Sequence, residues 1–333
     1  MSDLIRSLLV DLPGADTDAA AAVRARAEQV LRPTGALQRL DDVAAHMAAW
    51  QAGDVPTADR PSVLVFAADH GVTVAGVSNY PADVTAAMLA AVRAGKATVN
   101  AFARAAGATV AVFDVGVGDP TGDIRTESAL SPERLDRVAS IAIAAVDEAA
   151  AAGADVIALG ELGIGNTTIS AALPAALIGG DVVRWVGRGT GVDDEGLARK
   201  RAAVEAAVRR IAHVDDPIEV MREIGGAEHA AMAVACVRAR HHRIPVVLDG
   251  YITASAVLPM HVALPGALDH CVVGHLSSEP GHRLIVEHLG MEPLLDLGMR
   301  LGEGSGAVAA LPLVRMACTG VVDVPTFEEW FGA

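Results

Sequence analysis

The stretch Asp155-Val156-Ile157-Ala158-Leu159-Gly160-Glu161-Leu162-Gly163-Ile164-Gly165-Asn166-Thr167-Thr168 joins three patterns that together indicate a fold class. It begins with a short apolar run, which is typical of a buried strand. Three glycines then surround a glutamate, and an alanine-rich helical pattern follows over 166–177. A strand that passes through a glycine-containing loop into a helix is the repeating unit of parallel α/β proteins.

The same alternation extends in both directions along the chain. We predict strands at 62–67, 109–113, 155–159, 182–186, 245–248 and 270–273. We predict helices at 16–31, 36–52, 83–106, 131–152, 166–177, 193–212, 217–239 and 252–263. Continuous apolar strands are typical of a parallel sheet with helices on both faces. Six strands are too few for an eight-stranded barrel, so we predict an open, doubly wound, mostly parallel sheet of about six strands.

The two ends of the chain differ from its middle. Residues 1–59 contain helical patterns and a linker at 53–57, and 301–333 follow the last predicted strand. We predict a large α/β domain over 60–300 that carries the loops of the site. The segments 1–59 and 301–333 are predicted to form a small helical domain that contributes the loop around Glu303.

The charge of the chain excludes some classes of partner. The 333 residues carry a formal net charge of −15. Nucleic acids and anionic membranes both require a basic face, so we expect neither as a partner. No uncharged apolar run in the sequence reaches membrane-spanning length by our reading.

The cysteines and the N-terminus indicate a compartment. Cys236, Cys271 and Cys318 are isolated in the sequence and lack CxxC spacing. We expect buried thiols in a reducing cytoplasm. The first residues lack the basic and apolar regions of a signal peptide, which also favours a cytoplasmic protein.

Motif-like segments follow most of the predicted strands. They are 69–71, Glu161, 187–191, 249–250 and 274–281. Ligands of open parallel sheets bind beyond the carboxyl ends of the strands. The sequence therefore predicts that these segments line one shared site.

Two glutamates stand among glycines, Glu161 and, in Leu301-Gly302-Glu303-Gly304-Ser305-Gly306, Glu303. Glycine lets the backbone adopt positive φ and pass close to a ligand. A carboxylate in that setting is well placed to act as a base on a small molecule. An alternative role for Glu303, compatible with the first, is to offset the dipole of the helix that follows.

Other segments allow two interpretations. The loop 187–191 could hold a phosphate with help from Lys200, or be an ordinary loop, and it lacks a Walker ending. His275 and His282 are poorly spaced for zinc, so we favour a polar loop with Ser277 free to bind an anion. For Asp69-His70 we favour an aspartate that ties down a loop over a catalytic pair. Ser305 lacks the flanking glycines of a nucleophile elbow.

Taken in order, these segments resemble the nicotinate-nucleotide–dimethylbenzimidazole phosphoribosyltransferase family of cobalamin biosynthesis. The resemblance covers nearly the whole chain and depends on an ordered set of motifs. These motifs lie at 32–37, 68–72, 76–81, 161–168, 187–200, 248–256, 277–282 and 301–306.

The resemblance implies transfer of phosphoribose from nicotinate mononucleotide to 5,6-dimethylbenzimidazole, which releases nicotinate and gives α-ribazole 5′-phosphate with inversion. It implies Glu303 as the general base and Glu161 as its assistant near the ribose. The positions that match phosphate and ribose contacts are Gly163, Gly165, Gly189, Thr190, Lys200 and Ser277. Those that match the base pocket are Ser78, Tyr80, Ala87, Met88, Leu162 and Leu301. The family also implies a homodimer and neither a metal nor another cofactor.

One departure from the family pattern concerns the base that is accepted. Ala87 stands where the family usually has a glutamine that meets the edge of the base. Two alternatives therefore stay open: the same chemistry on another benzimidazole or a purine, and a nucleotide-binding protein without catalysis. A nicotinamide-dependent dehydrogenase is disfavoured, because no GxGxxG follows the first predicted strand.

Overall fold

Five parallel strands form the central sheet of the computed structural model, which describes residues 3–332. They are β1 (Pro61–Ala68), β2 (Thr109–Gly116), β3 (Val156–Leu162), β4 (Val246–Leu248) and β5 (Cys271–Val273). Their order across the sheet is β2-β1-β3-β4-β5, and each neighbouring pair is parallel. This order is that of a doubly wound sheet, so the predicted α/β class is confirmed.

Helices connect and cover the strands. Within residues 3–332 they are α1 (Asp3–Leu8), α2 (Thr17–Ala27), α3 (Gln38–Gln51), α4 (Val84–Arg93), α5 (Thr98–Ala106), α6 (Pro132–Ala151), α7 (Asn166–Leu177), α8 (Asp194–Arg210), α9 (Pro217–Ile224), α10 (Ala227–His241), α11 (Tyr251–Ala263), α12 (Pro280–His288), α13 (Ser305–Val322) and α14 (Phe327–Phe331). Two short 3-10 helices lie at Gly71–Ala75 and Val182–Arg184.

Several helix starts are set by local sequence. The side chain of Ser131 accepts a hydrogen bond from Arg134 N at the start of α6, and Pro132 occupies the first turn. Asp193 accepts from Gly196 N at 2.8 Å at the start of α8. Such side chains satisfy backbone N–H groups that have no partner within the helix.

The sheet is buried on both faces because alternate side chains of its central strands enter two separate apolar cores. On one face, Leu64 and Phe66 of β1 pack with residues of α6, α7, α10 and α11. On the other face, Val63 and Val65 pack with residues of α2, α3, α5 and α13. The second core therefore unites helices from both ends of the chain, whereas α1 packs in the first core. The division into two domains stays a prediction.

The predicted strand at 182–186 is wrong. Val182–Arg184 is a 3-10 helix, so the sheet has five strands and not six. Gly179 and Gly180 both adopt positive φ just before it, and the side chain of Asp181 accepts a hydrogen bond from Val183 N at 2.9 Å. These local features turn the chain before its β-branched residues reach the sheet.

Two predicted helices are interrupted, and four helices lie outside the predicted ranges. The segment 83–106 forms α4 and α5, with Gly95 at φ +71° between them. The segment 217–239 forms α9 and α10, which are separated by Gly225 and Gly226. The four are α1, α12, α13 and α14. No range was predicted for α12 or α13 because their glycine-containing starts were assigned to loops of the site, although the alternative role of Glu303 assumed a helix after it.

Helix α13 is a long apolar helix that is interrupted by a charge, at Arg315, so it does not contradict the expectation that no uncharged apolar run reaches membrane-spanning length. Its 18 residues are long and apolar enough, by length and composition, to cross a membrane. In the fold it packs against α3, α5 and β3, and much of its surface is buried. Its position identifies it as a core helix.

Candidate active site

A pocket of about 460 Å³ lies beyond the carboxyl ends of the strands. Its lining includes the loop after β3, beside the point between β1 and β3 where the strand order reverses, which is the usual ligand site of a doubly wound sheet. The loops after β3, β4 and β5 line it together with α4, the loop at Gly189 and the segment around Glu303. Four of the five segments predicted to share one site line this pocket, whereas no residue of 69–71 does.

Glu303 projects into this pocket from a strained turn. Its φ is +63°, a conformation rarely adopted by residues other than glycine, and its neighbours Gly302 and Gly304 also have positive φ. The turn packs directly on β3, because a Cβ added at Gly160 would lie 2.7 Å from Gly304 N. Backbone strain of this kind is concentrated at functional sites.

The carboxylate of Glu303 is buried and has one backbone partner. Its Oε2 accepts a hydrogen bond from Val99 N at 3.1 Å, in the first turn of α5. Burial raises the pKa of Glu303, and the bond from Val99 opposes that effect. The group is therefore a stronger base than an exposed glutamate.

The dipole role considered for Glu303 belongs to a different helix than expected. Asp249, at the end of β4, accepts a hydrogen bond from Ala307 N at 2.8 Å and so caps α13, the helix that follows Glu303. Glu303 instead meets the N-terminus of α5. Two helix N-termini thus each direct backbone N–H groups at a pocket carboxylate, which offsets part of its charge.

Glu161 is fully buried at the end of β3. The side-chain amide of Asn166 donates a hydrogen bond to its Oε2. Burial raises its pKa well above the ordinary value, and the charges of Asp249, Glu228 and Glu303 act in the same direction. A Cβ at Gly302, the residue before Glu303, would overlap Glu161 Oε1. The two segments that carry the glycine-flanked glutamates are therefore in direct contact.

Four of the positions assigned to phosphate and ribose contacts line the pocket. They are Gly163, Gly189, Thr190 and Ser277. Lys200 lies behind this wall, where its Nζ donates a hydrogen bond to Thr167 Oγ1 at 2.8 Å. A Cβ at Gly189 would lie 2.9 Å from Lys200 Nζ, so only glycine lets the loop approach the amine so closely. Gly165 precedes α7 outside the lining.

Four of the positions assigned to the base also line the pocket, and their side chains are apolar or aromatic. They are Tyr80, Met88, Leu162 and Leu301, and Val84 lines the pocket with them. Ser78 is outside the lining, with its Oγ 3.5 Å from Thr190 Oγ1. Ala87 is exposed and also outside the lining, although its helix α4 contributes Val84 and Met88 to it.

A buried group of polar side chains supports the pocket from below. His70 Nε2 and His229 Nδ1 each lie 2.9 Å from Glu228 Oε1, and all three side chains are fully buried. Burial alone would raise the pKa of Glu228, but the two imidazoles lower it far below its ordinary value. A Cβ at Gly163 would lie 2.8 Å from His70 Nε2, so this group sits directly against the loop after β3.

Three interpretations of polar segments can now be compared with the structure. Asp69 accepts a hydrogen bond from Gly118 N at 2.8 Å, so it ties down a loop as expected. His282 Nδ1 accepts from Ser277 N at 2.9 Å, which orders the predicted polar loop. Ser305 donates to Gly302 O at 2.7 Å and stabilises the turn around Glu303.

Sequence reasoning assigned no individual role to several residues that line the pocket. They are Asn166, Thr167, Asp249, Tyr251, Glu279 and Arg300. The first five lie in segments that the sequence analysis singled out, at 161–168, 248–256 and 274–281. Arg300 lies outside every such segment.

The fold and the pocket define an α/β enzyme class that handles a small nucleotide-like ligand at the switch point of a parallel sheet. Residues 12–330 match the phosphoribosyltransferase family. The chain is 48% identical over 328 residues to the nicotinate-nucleotide–dimethylbenzimidazole phosphoribosyltransferase of Methylocella silvestris, an alignment that covers 98% of this chain and 95% of that protein. The Rhizobium meliloti protein of the same name is also 48% identical over 328 residues, 98% of this chain and 96% of that protein.

A solved structure agrees with these sequence relatives. The crystal structure of CobT from Thermus thermophilus superimposes with a TM-score of 0.90 at 42% identity, over 94% of this chain and 98% of that one. The chain belongs to the phosphoribosyltransferase family. It is an enzyme, and the resemblance drawn from its motifs is confirmed.

Replacing Gly302 by alanine tests the contact between the two glutamates. We expect Gly302→Ala to reduce turnover by about 100-fold, because a small displacement of Glu161 or Glu303 disturbs the reacting geometry. Gly179→Ala is the matched control, since Gly179 has the same φ of +87° but no heavy atom within 4 Å of an added Cβ. Both variants should lose about 1–2 kcal/mol of unfolding free energy from backbone strain. Equal turnover in the two variants, measured beside urea unfolding, would contradict the contact.

Proposed function

We propose that this phosphoribosyltransferase transfers phosphoribose from nicotinate mononucleotide to 5,6-dimethylbenzimidazole, giving nicotinate and α-ribazole 5′-phosphate. The observation that carries this proposal is Glu303, a buried carboxylate held at positive φ in a pocket lined by both polar and apolar residues. The names of the relatives at 48% identity support the same substrates.

Glu303 serves as the general base in this proposal. One ring nitrogen of the benzimidazole attacks C1′ of the ribose while the bond to the pyridinium nitrogen breaks and its electron pair returns to the pyridine ring. Attack from the face opposite the leaving group inverts the configuration. The second benzimidazole nitrogen loses its proton to Glu303 as the new bond forms. A raised pKa suits a group that accepts a proton near neutral pH.

The charge of the pocket favours a cationic reacting centre. Four carboxyl groups line it, while Arg300 and His275 are the basic side chains among the described lining residues; the acids are Glu161, Asp249, Glu279 and Glu303. A pyridinium nucleotide brings positive charge to this surface, and positive charge grows on the ribose as the bond breaks. Such a cation lowers the pKa of Glu161 and favours its ionised form. The carboxylate then stabilises the transition state.

The polar residues that line the pocket suit the phosphate. Loops at Gly163 and Gly189 expose backbone N–H groups, and α7 begins just behind them. Lys200 supports this wall through Thr167 and adds a positive charge behind it. Ser277 offers a hydroxyl from the loop after β5.

The apolar residues that line the pocket suit a flat aromatic base. Tyr80, Val84, Met88, Leu162 and Leu301 form a surface on which a bicyclic ring can lie. Because Ala87 provides no polar contact to the edge of the base, a second candidate function is the same transfer to another benzimidazole or to a purine. A nucleotide-binding protein without catalysis is the remaining alternative.

We also propose a homodimer that acts in the cytoplasm. An exposed aromatic surface on α14, formed by Phe327, Trp330 and Phe331, supports association of two copies. The cysteines are free and buried, as thiols are in a reducing compartment. The small domain of 1–59 and 301–333 remains part of this proposal, because α2, α3 and α13 share one core.

A competition among bases tests the reaction directly. Purified protein is given nicotinate mononucleotide and an equimolar panel of benzimidazoles and purines, and the products are resolved by chromatography and mass. We expect nicotinate release with α-ribazole 5′-phosphate as the main product. A dominant product from another base would support the second candidate. Retained nucleotide binding without base-dependent release would overturn the transferase proposal.

Glu303→Gln tests the base. The amide cannot accept the proton, so we expect turnover to fall roughly 10²–10⁴-fold while binding of nicotinate mononucleotide changes little. Glu205→Gln, at an exposed position on α8, is the control and should leave both unchanged. Turnover comes from rapid quench, and affinity from calorimetry.

The pH dependence gives a second readout of the same residue. The base works only as a carboxylate, so kcat/KM should fall as pH drops through the raised pKa of Glu303, above its ordinary value of 4.5. That acidic limb should be absent in Glu303→Gln. If the fall of kcat/KM at low pH persists unchanged in Glu303→Gln, a group other than Glu303 accepts the proton.

Lys200 links phosphate affinity to pH. Burial lowers its pKa to about 8, and the charge of Glu279 opposes that shift. The amine is charged below that pH and neutral above it, so affinity for nicotinate mononucleotide should weaken as pH rises through about 8. The variant Lys200→Met should bind weakly without this dependence, whereas Lys96→Met, at the exposed second lysine, should retain it. Calorimetric titrations with nicotinate mononucleotide, at pH values below and above about 8, measure this dependence.

A further inference from the structure

Two of the three cysteines are neighbours in space. Cys236 of α10 and Cys271 of β5 have their Sγ atoms 3.4 Å apart. The Nε2 atom of His270 lies 3.8 Å from each sulfur. All three side chains are buried. The expectation of buried thiols is confirmed, and a strand and a helix bring together two cysteines that are isolated in the sequence.

These separations match a tetrahedral zinc site. Zinc binds sulfur at about 2.3 Å and imidazole nitrogen at about 2.0–2.1 Å, so tetrahedral angles place two sulfurs about 3.8 Å apart and each sulfur about 3.6 Å from the nitrogen. The observed separations of 3.4, 3.8 and 3.8 Å each lie within about 0.4 Å of those values. One ion at the centre therefore reaches all three atoms with only small side-chain adjustments.

A cavity gives access to this cluster. It has a volume of about 560 Å³ and lies between α2, α3 and β5, with Cys271 in its wall. His46 lines the same cavity, and its Nε2 has no hydrogen-bond partner among the residues the structure describes. Solvent can supply the fourth ligand from this side.

We infer that Cys236, Cys271 and His270 form a structural binding site for one Zn²⁺ ion, separate from the active-site pocket. The ion departs from the family-based expectation of a protein without metal. Binding releases the thiol protons to solvent and involves no change of oxidation state. His270 coordinates through Nε2 with its proton on Nδ1, and gives up the 2.9 Å contact between Nε2 and the carbonyl oxygen of Cys236.

The charges around the site suit a dithiolate ligand set. Two thiolates balance the two positive charges of zinc, so the occupied cluster is neutral and tolerates burial. The guanidinium of Arg240, one turn further along α10, interacts with both sulfurs and favours their deprotonated forms. It is held by Pro13 O at 2.9 Å and stacks over Trp50, with its CZ 4.7 Å from the ring centroid.

The ion would join the edge of the sheet to its covering helix. β5 is the last strand of the sheet, and its three residues pair with β4. The chain passes from β5 through Gly274 to His275 and Ser277, which both line the active-site pocket. Zinc therefore stabilises the strand that carries this wall, without itself touching substrate.

Metal binding by the full-length protein tests the site. Protein is stripped with chelator under reducing conditions, and Zn²⁺ is then titrated against a chromophoric competitor, with bound metal counted by mass spectrometry. We expect one tightly bound ion per chain and a rise in the unfolding midpoint on the order of 5 °C. Co²⁺ in place of Zn²⁺ should give thiolate charge-transfer absorption.

The third cysteine provides the matched control. Cys318→Ser removes a buried thiol that lies outside the cluster and should keep one ion per chain, whereas Cys236→Ser and Cys271→Ser should each lower affinity by at least about 100-fold. If these variants fail to fold, alkylation of wild-type protein replaces them: Zn²⁺ should protect two of the three thiols. Equal metal content in all variants, or no protection of the thiols by Zn²⁺, would overturn the site.

Discussion

The active site depends on the close approach of two backbone segments that lie far apart in the sequence. The turn that carries Glu303 rests on β3 at Gly160, with no side chain between them, and Gly302 leaves just enough space for the carboxylate of Glu161. Side chains at these positions would push the turn away from the sheet. The contact therefore determines both the separation of the two glutamates and the shape of the pocket between them.

Burying several carboxyl groups together is costly, and the structure offsets the cost only in part. Val99 N at the start of α5 and Ala307 N at the start of α13 each donate to one carboxylate, and Asn166 donates to a third. Burial, followed by the remaining repulsion from neighbouring carboxylates, raises the pKa of Glu161. A cationic ligand relieves that repulsion, so the site favours a pyridinium substrate before any contact with its ring is considered.

The walls of the pocket are supported by groups that do not enter it. Glu228 is held between two imidazoles directly beneath Gly163, and Lys200 braces the phosphate side through Thr167. On the far side, β5 carries His275 from a short edge strand whose base contains the paired thiols. Each of these parts of the lining is thus held by a different buried polar cluster. The clusters maintain the shape of the pocket without placing side chains inside it.

The sequence by itself determined the parallel α/β class and most helices and strands, because apolar periodicity and strand-end loops are local signals. It also indicated Glu161 and Glu303, since glycine-flanked polar groups after strands have few structural uses, and most of the predicted site residues line the pocket. Local signals failed where local hydrogen bonds compete, as at Asp181, and where glycines interrupt a helical pattern, as at Gly95. Only the tertiary structure decided that Glu303 bonds to α5, that Ala87 faces away from the pocket lining and that Cys236 meets Cys271. Each of these depends on the packing of segments distant in sequence, which no pattern along the chain records.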